Sequence, residues 1–298
     1  MRAVEPAVID PQAVTRLARR LEPLHSMIYF APEVGSELGE LGITHPRAQY
    51  FAQRSAAMGA VGPGVVAATY YNFNPALIAR FVPGVWASAS PAEVLNARLR
   101  AADGALRRLL GGEVSSRSTE RASVLARRAT EACRPEDRAL YAAHADLPWP
   151  DEPHLVLWHA ATLLREHRGD GHLHALLGAG LTGLEALIMH TATGKGFVVE
   201  VAQKTRGWSP EQWGEASAGL RERGLLTADG GLTEDGAALR DGVETETSRL
   251  STAPWASLGD DAAELGELAG GLTRTILAAG AFPDGVFASG SDRAPSAR

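Results

Sequence analysis

Residues 158–174 read WHAATLLREHRGDGHLH and crowd His159, Arg165, Glu166, His167, Arg168, Asp170, His172 and His174 into one span. Histidine titrates near neutral pH, and a carboxylate beside it can give or take a proton, so such a set can do acid–base chemistry. On a helix starting near Pro153, His159 and Glu166 are seven residues apart and nearly on one face, with a rise of about 10 Å between them. An enzyme built here would use His159, Glu166, His167 and His172, with Tyr29 as a further polar group. Arg165 and Arg168 read either as surface ions or as clamps on an anion. Each histidine read singly is a hydrogen-bonded or exposed side chain.

Metal chemistry has little support. There is no HExxH and no histidine pair at i, i+4, and His172 and His174 point to different sides of a helix. A metal would need histidines from separate segments, such as His25, His159, His167 and His190, so no metal ligand is assigned. Haem needs one axial histidine and stays open, and no cofactor is specified. Gly169 suits a left-handed helix end, and Asp170 suits the cap of a new helix, so GDG reads as a helix break.

Helices must position these groups. The chain has 298 residues, 45% hydrophobic, and its few β-branched runs are short. Its net charge of −6, from 29 basic and 35 acidic residues, does not suit a protein that coats nucleic acid. Cys133 is the one cysteine, which excludes an intrachain disulfide and a thiolate metal cage. The start carries no signal-peptide pattern, and apolar runs such as 181–189 are too short to span a bilayer, so the cytoplasm is the expected location and no membrane partner is expected. Pro11 starts a helix that Pro23 kinks or breaks. Ser90-Pro91-Ala92-Glu93 and Ser209-Pro210-Glu211-Gln212 are strong helix starts. DLPWPDEP at 146–153 is a turn-rich break.

The two halves share a run of short matches in one order. Glu22-Pro23 pairs with Glu152-Pro153, Gly59–Gly62 with Gly180–Gly183, Trp86 and Ser90-Pro91 with Trp208-Ser209-Pro210, Thr119-Glu120 with Thr233-Glu234, and Pro148-Trp149 with Pro254-Trp255. These matches predict a duplication. After the helix from Ser209, Leu225–Thr233 (LLTADGGLT) places short apolar stretches around two glycines, a hairpin signal. Residues 195–250 resemble the winged-helix module of MarR-type regulators. Over roughly 15–268, through LEPLHSMIYFAPE, AATYYNFNP, LLREHRGDGH and RGWSPEQW with RGLLTADGGLT, the chain is similar to an actinobacterial helix-turn-helix family of unknown function. That resemblance implies DNA binding by analogy and carries no catalytic residues.

The expected fold is mainly α, with two tandem winged-helix-like repeats, each with a short β-hairpin wing, packed as a pseudo-twofold pair. The first repeat would span 11–150 and the second 151–258. A C-terminal helix would cover 259–282, and a disordered tail 283–298; residues 1–10 would form a loose arm.

The function best matching this fold is a small-molecule-responsive regulator with its pocket between the repeats. In the repeat register His159 falls opposite Tyr29. The expected ligand residues are His25, Tyr29, Tyr70, Tyr71, Asn72, His159, Arg165 and His190. DNA contacts fall to Arg98, Arg100, Arg107 and Arg108, because residues 90–112 carry +2 whereas 209–241, with seven acids against three bases, carry −4. The same arginines also read as solvated helix faces. Two alternatives stand beside this one: an enzyme of a specialised natural-product pathway, metal- or haem-assisted or not, and a non-catalytic binding protein. A homodimer is open.

Overall fold

The computed structural model describes residues 9–291 and 293; residues 1–8 of the arm expected at 1–10, and positions 292 and 294–298 of the expected tail, lie outside it. Proline opens most of the helices of the first half, where its missing N–H costs nothing. These are α1 (Pro11–Ser26), α2 (Pro32–Glu40), α3 (Pro46–Ser55), α4 (Pro63–Tyr70), α5 (Pro75–Ala79), α6 (Val85–Ser88) and α7 (Pro91–Leu110). Pro23 lies inside α1 without ending it. Ser90 and Glu93 form a capping box that starts α7. Then come α8 (Arg117–Thr130), α9 (Ala139–Ala145) and the 26-residue α10 (Pro153–Gly178). The second half holds α11 (Gly183–Ala192), α12 (Val199–Arg206), α13 (Pro210–Glu222), α14 (Glu234–Arg249), α15 (Ala253–Ala256) and α16 (Asp261–Ala278). Ser209 with Gln212, and Thr182 with Glu185, box the starts of α13 and α11. No single helix among the described residues is long and apolar enough to cross a membrane.

Two apolar clusters organise the chain. The larger takes Leu24 and Ile28, Phe51, Ala101, Leu125 and Leu157, and closes with Leu265 and Ile276 of α16. The smaller holds Leu176 at the end of α10 with Leu184, Met189, Leu220, Leu226 and Val243. Helix α10 belongs to both. Its first half is buried among α1, α7 and α8, and its last turns carry the helix-turn-helix unit of α11–α14.

Several expectations are corrected. The tandem winged-helix pair does not form. The first half is helical throughout, and the place of its wing is a 3-10 turn at Gly111–Ser115 leading into the Ser116 cap of α8. Its apolar face joins a core that also takes residues up to Phe287, so the first half does not fold around a centre of its own. The matched start signals are local devices and dictate no shared packing. Residues 225–233 do reverse the chain, but among the described residues there are no strands, and the reversal itself holds a single antiparallel bridge, between Leu226 and Leu232. Thr227 turns its hydroxyl to Asp229 and the Gly231 carbonyl, a local arrangement that competes with a longer ladder.

GDG does not break a helix; α10 runs through it. The Asp170 carboxylate accepts from the N–H groups of Leu140 (3.1 Å) and Tyr141 (2.9 Å), so it caps α9 instead of a new helix. Gly171 leaves room for Arg138, whose guanidinium donates to the carbonyls of His167 and Leu250. The tail is not loose over 283–291. Val198 N–H donates to Val286 (3.2 Å), Ala288 N–H to Gly196 (2.8 Å), and the Phe287 ring stacks on Phe197.

The helix-turn-helix unit is fastened to residues 71–77. Asn74 N–H donates to the Arg206 carbonyl (2.9 Å), and Arg47 Nη2 to that of Lys204 (2.7 Å), satisfying carbonyls that the end of α12 leaves open. Trp208 Nε1 donates to Asn72 O (2.9 Å), and Tyr71 Oη to Leu181 O (2.6 Å). Gly207, at φ +76°, ends α12, and a Cβ there would lie 2.7 Å from Leu77 Cδ2. Tyr71 sits at φ +29°, a conformation costly for a tyrosine, and its carbonyl oxygen occupies the space a Cβ on Gly183 would need. Gly183→Ala should therefore destabilise the fold by about 2 kcal/mol or more through overpacking. Thermal melting checks this, and an unchanged Tm would contradict the close approach.

Candidate functional site

Where α1, α3, α10 and α12 meet, polar side chains converge. Glu166 of α10 is buried to 1% side-chain exposure and pairs with Arg54 (Nη2 to Oε2, 3.2 Å) and with Arg165 (Nη1 to both oxygens, 2.7 Å). Burial opposes the Glu166 charge, but Arg165 and Arg54 outweigh it and hold its carboxyl well below the usual range. Arg54 also donates to Tyr50 Oη (3.3 Å) and lies 4.3 Å above the Tyr70 ring, whose hydroxyl meets Ser55 Oγ at 2.9 Å. His25 joins Thr162 through Nδ1 and Tyr29 through Nε2, both at 2.9 Å. The Tyr29 and Tyr50 rings are 5.2 Å apart.

Arg206, the last residue of α12, completes the group. Its guanidinium sits 4.5 Å from the Phe73 ring and 4.9 Å from Phe197. Tyr29, Tyr50, Arg165 and Arg206 lie deep among the helices, yet each keeps part of its surface accessible. They form a polar junction whose outer edge is half-buried rather than sealed. Burial pushes the Tyr50 phenol up, but Arg54, Arg206 and Arg165 around it prevail and hold it below its ordinary value. Beneath, Arg98 is 3% exposed with its guanidinium 4.6 Å from the Trp158 ring; its Nε and Nη2, Trp158 Nε1 and His144 Nε2 have no hydrogen-bond partner.

The expected site residues divide. His25, Tyr29, Tyr70 and Arg165 gather at this junction, together with Glu166. Tyr71 instead lines an open groove of about 570 Å³ with Phe73, Trp208 and Glu215, because the inverted backbone at Tyr71 sends it away from Tyr70. Asn72 serves the docking through its carbonyl. His190 packs against Gly196. His159 meets Trp149 edge-on at 4.7 Å, His167 meets Tyr141 at 5.2 Å and accepts from Arg134 N–H, and His172 bonds Thr247 at 2.8 Å. The acid–base set His159, Glu166, His167 and His172 thus fans out around α10 onto four different partners and does not converge. Among the described residues no three His, Cys, Asp or Glu side chains group as a metal site.

Of the expected DNA contacts, Arg98 is buried. Arg100 pairs with Glu37 (2.7 Å), Arg107 with Asp103 (2.8 Å) and Arg108 with Glu33 (2.6 Å). Each of these three already faces a carboxylate. On α13 the exposed charges are Glu211, Glu215, Arg221 and Glu222.

Sequence reasoning missed Tyr50, Arg54, Thr162 and Arg206. Arg54 and Glu166 stand 112 positions apart, and no spacing rule links them. The one available signal was Arg54 itself, a charge four residues after Tyr50 on a helix otherwise turned inward at Phe51, Ala52 and Ser55.

Residues 14–283 match the model of a helix-turn-helix family, and the chain belongs to that family. Comparison with curated proteins and with solved structures found no match. Within the matched span, α12, the turn at 207–209 and α13 follow one another as helix, turn and helix.

The buried histidines carry a pH signature. Burial pushes His144 and His167 down to about 3, and His159, His172 and His190 down to about 4, with nearby arginines adding to the fall at each. A histidine whose folded pKa lies below its unfolded value costs nothing above about pH 6.5; below it, the unfolded chain takes up protons that the fold refuses. Stability should fall as pH drops from 6.5 toward 4, by up to about 1.4 kcal/mol per pH unit for each of the well-buried His144, His159 and His167. Denaturant melts at pH 7, 6, 5 and 4 test this; a flat profile would show that these rings protonate freely.

Proposed function

We propose that the protein is a small-molecule-responsive helix-turn-helix regulator, with its ligand in the cleft between the helical first half and the α11–α14 unit. The observation that carries this reading is Arg206. It ends α12, yet its guanidinium stands at the polar junction with Arg54, Arg165 and Tyr50. A molecule bound there touches both parts at once and has different contacts when they are apart, the requirement for a ligand to shift a docking equilibrium. The order α11, α12, turn, α13, reversal, α14 supports a winged-helix-like, MarR-like unit with a wing reduced to one bridge.

The docked state is closed to DNA. A helix-turn-helix lays the start of its second helix into the major groove. Here the turn and the start of α13 face residues 72–75, with Asn74 Nδ2 donating to Gly207 O (3.0 Å) and Gln212 Oε1 (3.3 Å). DNA binding on this reading requires release of the unit. The acidic exposed face of α13 supports a second reading, a binding protein whose helix-turn-helix serves only as a packing unit.

Gel shifts with the DNA upstream of the protein's own operon separate the two. Arg47→Ala with Tyr71→Phe removes two side-chain fastenings outside the core, and on the regulator reading this variant should bind that DNA at least tenfold more tightly than the wild type, in a salt-sensitive way. No sequence-specific binding by either protein would sink the regulator reading and leave the packing-unit one.

A further inference from the structure

The junction of α3, α10 and α12 has more positive charge than its protein partners neutralise. Arg54, Arg165 and Arg206 surround Tyr50, and among the described residues Glu166 is the only carboxylate in ion-pair reach of any of them. Both Glu166 oxygens are used by Arg54 and Arg165. Among the described residues Arg206 has no ion pair; its Nη1 donates to Thr205 Oγ1 (3.0 Å), and its buried Nε has no partner there. Three guanidiniums against one carboxylate leave an excess of two positive charges at a half-buried junction where water screens them only in part. Buried charges are normally paired, because desolvating an unpaired one costs several kcal/mol. Such an excess is what a site for an anion looks like before the anion arrives.

The walls narrow the class. The planar guanidinium fork suits a carboxylate, which it holds through two parallel hydrogen bonds. Around the arginines stand aromatic rings rather than further donors: Tyr29 and Tyr50 on one side, Phe73 and Phe197 against Arg206. A compact, heavily hydrated phosphate would leave these rings without a partner, whereas an organic acid offers them an apolar body.

We infer that the cleft binds a small organic carboxylate, its head held by Arg206 with Arg54 and Arg165, and its apolar body against Tyr29 and Tyr50. This rests on the reading of the cleft as the ligand site and names its chemistry. The head neutralises the excess charge, and because Arg206 ends α12 while Arg54 and Arg165 come from α3 and α10, one carboxylate ties three elements together.

The test uses the full chain and titration calorimetry with benzoate, hexanoate, benzamide and inorganic phosphate. At least one of the two carboxylates should bind saturably, tenfold or more tightly than neutral benzamide, more weakly as salt rises, and without displacement by equimolar phosphate. Arg206→Gln should weaken that binding at least tenfold; Arg206→Lys, which keeps the charge without the fork, should fall between. If Arg206→Gln loses its far-ultraviolet helix signal, Arg165→Gln, at a partly exposed position, gives the same reading. Equal binding of benzoate and benzamide, tighter binding of phosphate, no binding of either acid, or unchanged affinity in the arginine variants would each overturn the inference. Because no DNA is present, this result is independent of the gel shift. Carboxylate binding without DNA binding removes the regulator and keeps the site, and DNA binding without carboxylate binding does the reverse.

Discussion

A carboxylate in the middle of the longest helix, sealed from water, has to be paired, and much of the structure follows from how Glu166 is paired. Its partners are the neighbouring Arg165 and Arg54 from α3. Removing one cation from such a cluster strands a buried charge, so α3 must stay against α10. Arg54 in turn holds Tyr50 and lies over Tyr70, which fixes α4. The loop after α4 then carries Tyr71, Asn72 and Asn74 to the ends of α11 and α12. The helix-turn-helix is thus anchored, at several removes, to one ionised group.

Local signals were legible in the sequence and long-range ones were not. Ser90-Pro91-Ala92-Glu93 and Ser209-Pro210-Glu211-Gln212 name their helices because a cap and its partner are three residues apart. The same locality misled at Gly169-Asp170-Gly171. A glycine beside an aspartate is a stop signal when nothing else is known, but here Gly171 makes room for Arg138 and Asp170 caps a helix 30 residues earlier. The apparent repeat failed for a related reason. Matching start signals recur wherever helices begin, and they say nothing about which faces meet.

The candidate site was half visible. His25, Tyr29, Tyr70, Arg165 and Glu166 were within reach of reasoning because polar and aromatic residues interrupt apolar helices at those points. Tyr50, Arg54 and Arg206 were not, since their meaning depends on helices that come together only in three dimensions. The histidines drew attention by their number, yet each found a separate neighbour. Density along the chain is a poor guide on a helix, where adjacent residues point about 100° apart.

Helix α10 passes without interruption from the larger apolar cluster into the smaller one. It therefore acts as a phase-locked shaft. Each residue added between Glu166 and Leu176 would turn the helix-turn-helix unit by about 100° and lift it by about 1.5 Å relative to Arg54. No single insertion or deletion there could be absorbed by local slack, whereas the surface turn at 225–233 could take several. Natural length variation among chains of this design should accordingly be quantised in α10 and free in the reversal beyond α13.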